Sequence, residues 1–245
     1  MNNKIIKKLK EDTGTSSYII YREKYIKDIK IDLIYHEALT DQEKMSNFIY
    51  RSLDYIEKIY NDNDSLYDTI KNNISNIKIK EIKDYQDICK YLNNGFLILL
   101  IEDDYSLALE VKRNLSRSID KAITETTIRG PMDSFTENIE TNIGLIKRRI
   151  KSNKLWNTDI ELGKYTKNKV SILTIDGIID NKLKDYIIDK LNNIDIDNVT
   201  DSGTLKHLIE KETKTIFPTI MTTERPDKVV SSLLNARLVI IIDNC

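Results

Sequence analysis

The sequence predicts an α/β protein built from two small duplicated α/β subdomains with mixed sheets, joined by a helical linker. Three observations carry that expectation. Short β-rich runs alternate along the chain with segments of helical periodicity. Two nine-residue stretches match in pattern: Asn94-Gly95-Phe96-Leu97-Ile98-Leu99-Leu100-Ile101-Glu102 and Asn235-Ala236-Arg237-Leu238-Val239-Ile240-Ile241-Ile242-Asp243. The length of 245 residues, 40% of them hydrophobic, suffices for two small cores.

The opening residues to Lys10 alternate lysine with isoleucine and leucine, and positions 1–27 are expected to form a mobile basic segment. The first subdomain is expected at 28–115. Ile31 to Tyr35 reads as a strand, and Thr40 to Glu43 supplies a capping box ahead of Met45, Phe48, Ile49 and Leu53 at helical spacing. Asn61 to Ser65 is a polar break, and Ile77 to Ile79 a short strand. Asp84 caps a helix through Ile88, Tyr91 and Leu92 that stops at Asn94-Gly95. Phe96 to Ile101 is a buried strand. The turn Glu102-Asp103-Asp104 leads into Ser106 to Val111, whose alternation suits a half-exposed strand.

The linker at 116–165 holds a Gly-Pro turn and an amphipathic helix carrying Ile139, Ile143, Ile146 and Ile150. Its end bears Lys147, Arg148, Arg149 and Lys151, where the helix dipole favours cations. Two readings stand: a docking surface for acidic headgroups or carboxylates, or a solvated, dipole-matched helix end. The second subdomain, at 166–245, repeats the pattern of the first. Lys169 to Ile175 is a strand, Asp180 opens a helix through Leu183, Ile187 and Leu191, and His207 falls on a helix over 202–211. Ile220 to Thr222 reads as a strand, Pro226 begins a helix ending at Asn235, and Leu238 to Ile242 is a buried strand. If the halves are duplicates, a turn and a pairing strand follow Asp243 in the natural protein, because an unpaired apolar edge is a liability.

Composition excludes several functions. Thirty-eight basic and 39 acidic residues leave a net charge of −1, with no global field toward nucleic acid or an anionic membrane. Cys89 and Cys245 do not make a disulfide framework and are expected as free thiols in a reducing compartment. The chain has no core for a secretory signal and is expected to begin in the cytosol. No window approaches the ~18 apolar residues of a membrane-spanning helix. There is no phosphate-binding glycine loop, metal-spaced cysteine cluster or nucleophile elbow. His36 and His207 are expected to be structural or exposed, and carboxylates such as Asp103-Asp104 lie in turns. No enzyme is expected, and no cofactor or metal.

Two ordered motifs carry a resemblance. The run Ile128-Arg129-Gly130-Pro131, Phe135-Thr136-Glu137 and Thr141-Asn142-Ile143, ending in Leu145-Ile146-Lys147-Arg148-Arg149-Ile150, resembles the signature of the A subunits of spore germinant receptors, the GerA family. A second run resembles that family too: Phe217-Pro218, Thr223-Glu224-Arg225-Pro226-Asp227, Leu233-Leu234, Arg237 and Ile241-Ile242-Asp243. The abundance of Ile, Asn, Lys and Asp suits the AT-rich coding of a clostridial source. The sequence departs from the family at Ala236 and Asn244, where glycine is usual, which places a left-handed helix cap at Ala236 in doubt. It departs also at Lys147, where arginine is frequent.

The resemblance implies the cytosolic amino-terminal part of a multi-pass membrane subunit, truncated here before its membrane region. Such a subunit acts in nutrient-triggered spore germination at the spore inner membrane, as a signal-transducing or assembly module. The alternative is an accessory sporulation membrane protein of the same family that assists transport. Implied partners are transporter-like and lipoprotein-type receptor subunits, with room for self-association and for a small-molecule ligand in a cleft like that between substrate-binding-protein lobes. Candidate interface residues are Arg129, Gly130, Pro131, Phe135, Glu137, Asn142, Arg148, Arg149, Thr223, Glu224, Arg225, Pro226 and Asp227. Pro226 and Asp227 suit a first helical turn. Glu224 and Arg225 read either as an ion pair or as a contact to another subunit, with a salt bridge from Arg129 or Arg225 to Glu137 or Glu224 as the specific expectation.

Overall fold

The computed structural model describes residues 2–74, 77–102, 105–115, 125, 131–199, 201–210 and 219–243. The chain divides into two compact units, one comprising residues 1–114 with 151–153, the other 115–150 with 154–245. The helix expected in a linker therefore belongs to the second unit.

In the first unit, helix α1 (Asn2–Asp12) precedes an antiparallel hairpin of β1 (Ile19–Ile26) and β2 (Ile29–His36). These elements occupy much of the segment expected to be basic and mobile, and Leu9 and Ile26 are fully buried. Lysines at every second or third position hid the Ile5, Ile6 and Leu9 stripe that faces the sheet. Helix α2 (Gln42–Lys44) runs through a π-helical stretch (Met45–Tyr50) into α3 (Arg51–Ile59). Its cap is Asp41, whose carboxylate accepts from the Lys44 N–H at 3.1 Å, not Thr40, whose hydroxyl donates to the His36 carbonyl. A further helix, α4 (Leu66–Asn73), follows the polar break, with Ser65 as its cap.

Strand β3 (Ile79–Glu81), helix α5 (Tyr85–Leu92) and the hairpin of β4 (Phe96–Ile101) and β5 (Tyr105–Glu110) complete the unit. The sheet runs β1-β2-β4-β5-β3, with every neighbouring pair antiparallel, so it is not the mixed sheet expected. Consecutive hairpins give antiparallel pairs directly. Met45, Ile49, Leu53, Ile56, Leu66 and Ile70 cover one face; Leu9, Ile88 and Leu92 cover the other. That two-sided cover explains why Phe96 to Ile101 is an unbroken apolar run. It also corrects the reading of β5 as half-exposed, since Leu107, Ala108 and Leu109 are all fully buried.

The second unit begins, among the described elements, with α6 (Ile139–Arg149), followed by a hairpin of β6 (Leu155–Leu162) and β7 (Asn168–Ile175). Then come α7 (Asn181–Asn192), capped by Asp180, α8 (Ser202–Glu210), α9 (Pro226–Leu234) and β8 (Val239–Ile242). Residues 220–222 are not a strand. The sheet runs β6-β7-β8, again antiparallel. Helices α7 and α8 contribute Leu191, Leu205 and Ile209 to the core against Leu162, Val170, Ile172 and Ile242. Helices α6 and α9 pack on each other and reach β8 and β7.

The internal duplication extends to topology. Each unit pairs an eight-residue hairpin with a returning strand: β2 meets β4 with Ile31 opposite Ile101, and β7 meets β8 with Val170 opposite Ile242. Even the polar positions correspond. Lys30 bridges Glu23 at 2.6 Å and Asp32 at 3.1 Å, while Lys169 bridges Asp159 at 3.0 Å. Strand β6 went unread because its polar residues face inward, where Ser171 and Asn157 also donate to Asp159. The two residues that occupy the second position of the nine-residue match are both left-handed as well, Gly95 at φ +76° directly before β4 and Ala236 at φ +59° three residues before β8. The left-handed conformation doubted at Ala236 is thus present, and alanine carries its cost.

Alanine in this region costs about 1–2 kcal/mol. Ala236→Gly is expected to raise stability by about 1 kcal/mol in urea unfolding, the unfolded-state entropy of glycine offsetting part of the relief. Gly95→Ala should lower stability by more than about 2 kcal/mol, because its Cβ also meets the Leu39 carbonyl oxygen at 2.9 Å.

Candidate functional site

The described residues of both signature segments lie in the second unit, and the fold brings the segments together. Arg129 and Gly130 lie outside the described residues, and Pro131 and Glu137 are exposed. At the junction, the backbone carbonyl of Glu224 accepts from the Phe135 N–H at 2.8 Å and from the Ser134 hydroxyl at 3.2 Å. Glu224 thus serves through its main chain, a role that no side-chain reasoning would assign.

Asn142 locks the loop entering α6. It is 3% exposed, accepts from the Thr136 N–H at 2.8 Å and donates to the Thr136 carbonyl at 2.6 Å. Asn138 caps the helix by accepting from the Thr141 N–H at 2.8 Å. A carboxylate oxygen of Asp243, at the end of β8, accepts from the Ile139 N–H at 3.0 Å. The first turn of α6 therefore has its orphan donors answered from two places in the chain, and an anion sits where the helix dipole favours it. Asp243 belongs to the second signature run but not to the candidate interface residues; its signal in the sequence is a carboxylate ending an apolar strand.

The basic helix end is not uniformly solvated. Lys147 is buried, and Arg149 donates to the Leu145 carbonyl at 2.9 Å and pairs with Asp133. Arg148 alone among these three is exposed. Around α9, the Arg225 guanidinium grips Asp227 through two bonds, Nε to Oδ1 at 3.0 Å and a terminal nitrogen to Oδ2 at 2.5 Å. For Arg225 this corrects the expected salt bridge to Glu137 or Glu224, since its partner is Asp227, two residues on; the alternative through Arg129 lies outside the described residues. Thr223 donates to Glu125 at 2.6 Å and accepts from the Arg225 N–H at 3.1 Å, and Lys228 pairs with Glu125 at 3.0 Å.

Electrostatics follow from these contacts. The Arg225 hydrogen bonds hold the Asp227 carboxyl below the usual range, helped by the amides of the first turn. Bonds from Thr223 and Lys228 lower Glu125 in the same way. Elsewhere, His36 is buried at the end of β2 against Tyr18, and His207 is exposed on α8. Cys89 is a free thiol pushed up by burial, accepting from Asn153 at 2.8 Å. Among the described residues, no three His, Cys, Asp or Glu side chains converge on a metal position, and no helix is long and apolar enough to cross a membrane.

Over residues 7–245 the chain matches the family described as "Bacillus/Clostridium GerA spore germination protein". It is similar to spore germination protein KA of Bacillus subtilis (strain 168), at 32% identity over 244 residues, 98% of this chain and 45% of that protein. It is similar also to spore germination protein B1 of the same organism, at 40% identity over 147 residues, 59% of this chain and 30% of that one. A crystal structure of the N-terminal domain of the A subunit of the Bacillus megaterium spore germinant receptor GerK3 superposes with a TM-score of 0.73 at 30% identity, covering 98% of this chain and 90% of that one. The chain spans less than half the length of these curated relatives.

Asn142→Ala should cost about 2–3 kcal/mol, since it leaves the Thr136 N–H and carbonyl without their partner; chemical denaturation reads this directly. The pH dependence has a definite sign. Asp227 and Glu125 have lowered folded pKa values, so their stabilisation is fully present above the usual carboxylate range and is lost as pH falls below about 4. Asp227→Asn should flatten the acid limb of a thermal-stability profile, with little change in its slope above neutrality.

Proposed function

The chain belongs to the GerA family of spore germination proteins, and from that premise we propose that it is the amino-terminal module of a germinant-receptor A subunit. The likeness to the corresponding domain of a solved A subunit, over 98% of this chain, carries the reading. The module lies on the cytoplasmic face of the spore inner membrane. There it relays a nutrient signal, or organises assembly with transporter-like and lipoprotein-type subunits. Its role is non-enzymatic: the ionisable side chains of the signature segments are largely spent on one another, with Arg225 on Asp227 and Arg149 on Asp133.

The same pairing supports one location for a partner contact. Most signature residues hold the second unit together, whereas Arg148 and Glu137 face outward from the same segment. An exposed cation beside a rigid, internally satisfied helix end is suited to meet a carboxylate of another subunit. Arg149 is a positioning residue for that helix end.

Deletion of residues 2–243 from the chromosomal gene should leave spore yield unchanged and abolish the response to the cognate nutrient. A fall in spore yield with an intact nutrient response would instead favour the accessory sporulation protein. Arg148→Glu should keep the thermal midpoint and slow nutrient-triggered germination about tenfold, the effect of a ~1.4 kcal/mol loss at one contact. Arg149→Glu should lower the midpoint itself, because it sets a carboxylate against Asp133. Unchanged germination in Arg148→Glu spores would remove Arg148 from the interface.

A further inference from the structure

We propose that the outer edge of β8 is the docking site for an extended strand supplied by this protein's own chain beyond Cys245. The proposal rests on family membership and the internal duplication, not on the receptor reading.

Strand β4 of the first unit carries β2 on one edge and β5 on the other. Strand β8 is its counterpart: it follows a left-handed residue and pairs antiparallel with the second strand of an eight-residue hairpin. Its four-residue ladder, Val239–Ile242 against Val170–Leu173, repeats that of Ile98–Ile101 against Ile31–Ile34. Yet among the described residues no strand pairs with the other edge of β8.

The remaining sheet edges are defended and this one is not. Strand β1 carries Arg22, Glu23 and Lys24; β6 carries Asp159 and Glu161; β3 is three residues long and includes Lys80 and Glu81. Charge and shortness are the usual means of keeping an edge from recruiting another strand. Strand β8 reads Val-Ile-Ile-Ile, with neither charge nor proline.

Of the continuing chain, a second copy and a separate subunit, the continuing chain is the occupant that the fold favours. This chain spans only 45% of the first relative, and the solved structure it resembles is an N-terminal domain, so in such proteins further chain follows the matched part. In the first unit the covering strand arrives through a tight turn, Tyr105 lying four positions after its partner Ile101. A tethered strand of that kind has an effective concentration near the millimolar range, well above what a second copy of the chain or a separate subunit would ordinarily reach.

The register makes the test specific. The Asp243 N–H donates to the Lys169 carbonyl at 2.9 Å, so ladder alternation turns the N–H groups of Val239 and Ile241 toward β7 and those of Ile240 and Ile242 outward. Hydrogen–deuterium exchange, resolved by residue, should be compared between the full-length protein and the 245-residue chain. The expected result is fast exchange at Ile240 and Ile242 in the short chain and at least a hundredfold slowing in the full-length protein. Fast exchange in both, or protection in the short chain that grows with its concentration, would overturn the proposal; the latter would assign the edge to a second copy. Ile240→Pro supplies an independent check, since it removes only an outward donor. It should lower the unfolding midpoint distinctly more in the full-length protein than in the short chain, and an equal fall in both would contradict the assignment.

Discussion

The rest of this structure depends on one constraint, which is that the central strand of each sheet is buried on both faces. Ile98 to Ile101 and Val170 to Ile175 have almost no contact with water. A three- or five-stranded sheet of that kind requires helices on both sides, because each exposed apolar face would forfeit ~25 cal/mol per Å². In the first unit, α1 and α5 supply the second cover. Its second-unit counterpart is the pair α6 and α9, the two helices on which the signature segments lie. Those segments are therefore first of all the means by which a sheet face is closed.

Once that is seen, the chemistry of the signatures becomes intelligible. A helix laid over a sheet brings its polar termini to the edge of a core, where orphan amides need partners. Asn138 and Asp243 answer the first turn of α6, Asn142 holds the loop before it at Thr136, and the carbonyl of Glu224 ties that loop to the approach of α9. Arg225, Asp227, Thr223, Glu125 and Lys228 form an adjacent charged group in which each member has an opposite charge or a hydroxyl at hand. Arg148, at the end of the same helix, remains outward-facing.

Much of this was legible in the sequence. Asp84 and Asp180 were read as caps and are caps, and the buried strand at Phe96 to Ile101 was placed residue for residue. The nine-residue match correctly announced a duplication that the sheet registers bear out. The failures have physical causes. Helix α1 is hidden by its lysines, and β6 by Asn157 and Asp159, polar residues whose place in a strand becomes intelligible only when β7 brings Ser171 and Lys169 beside Asp159. The junction at Glu224 was invisible because it is made by a carbonyl, which every residue possesses. The Arg225 to Asp227 pair stands where Glu137 or Glu224 is expected, although a proline between two opposite charges is the available signal.

Two segments some ninety residues apart thus act as one cooperative clasp closing a sheet face. A double-mutant cycle between Asn142→Ala and Asp243→Ala measures this most directly, since Asn142 holds the loop entering α6 at Thr136 while Asp243 holds the first amide of the helix at Ile139. The account predicts a coupling of about 1 kcal/mol in urea unfolding, because loosening either contact releases the turn that the other holds. Additivity within about 0.3 kcal/mol would contradict it and would make the two contacts independent local features.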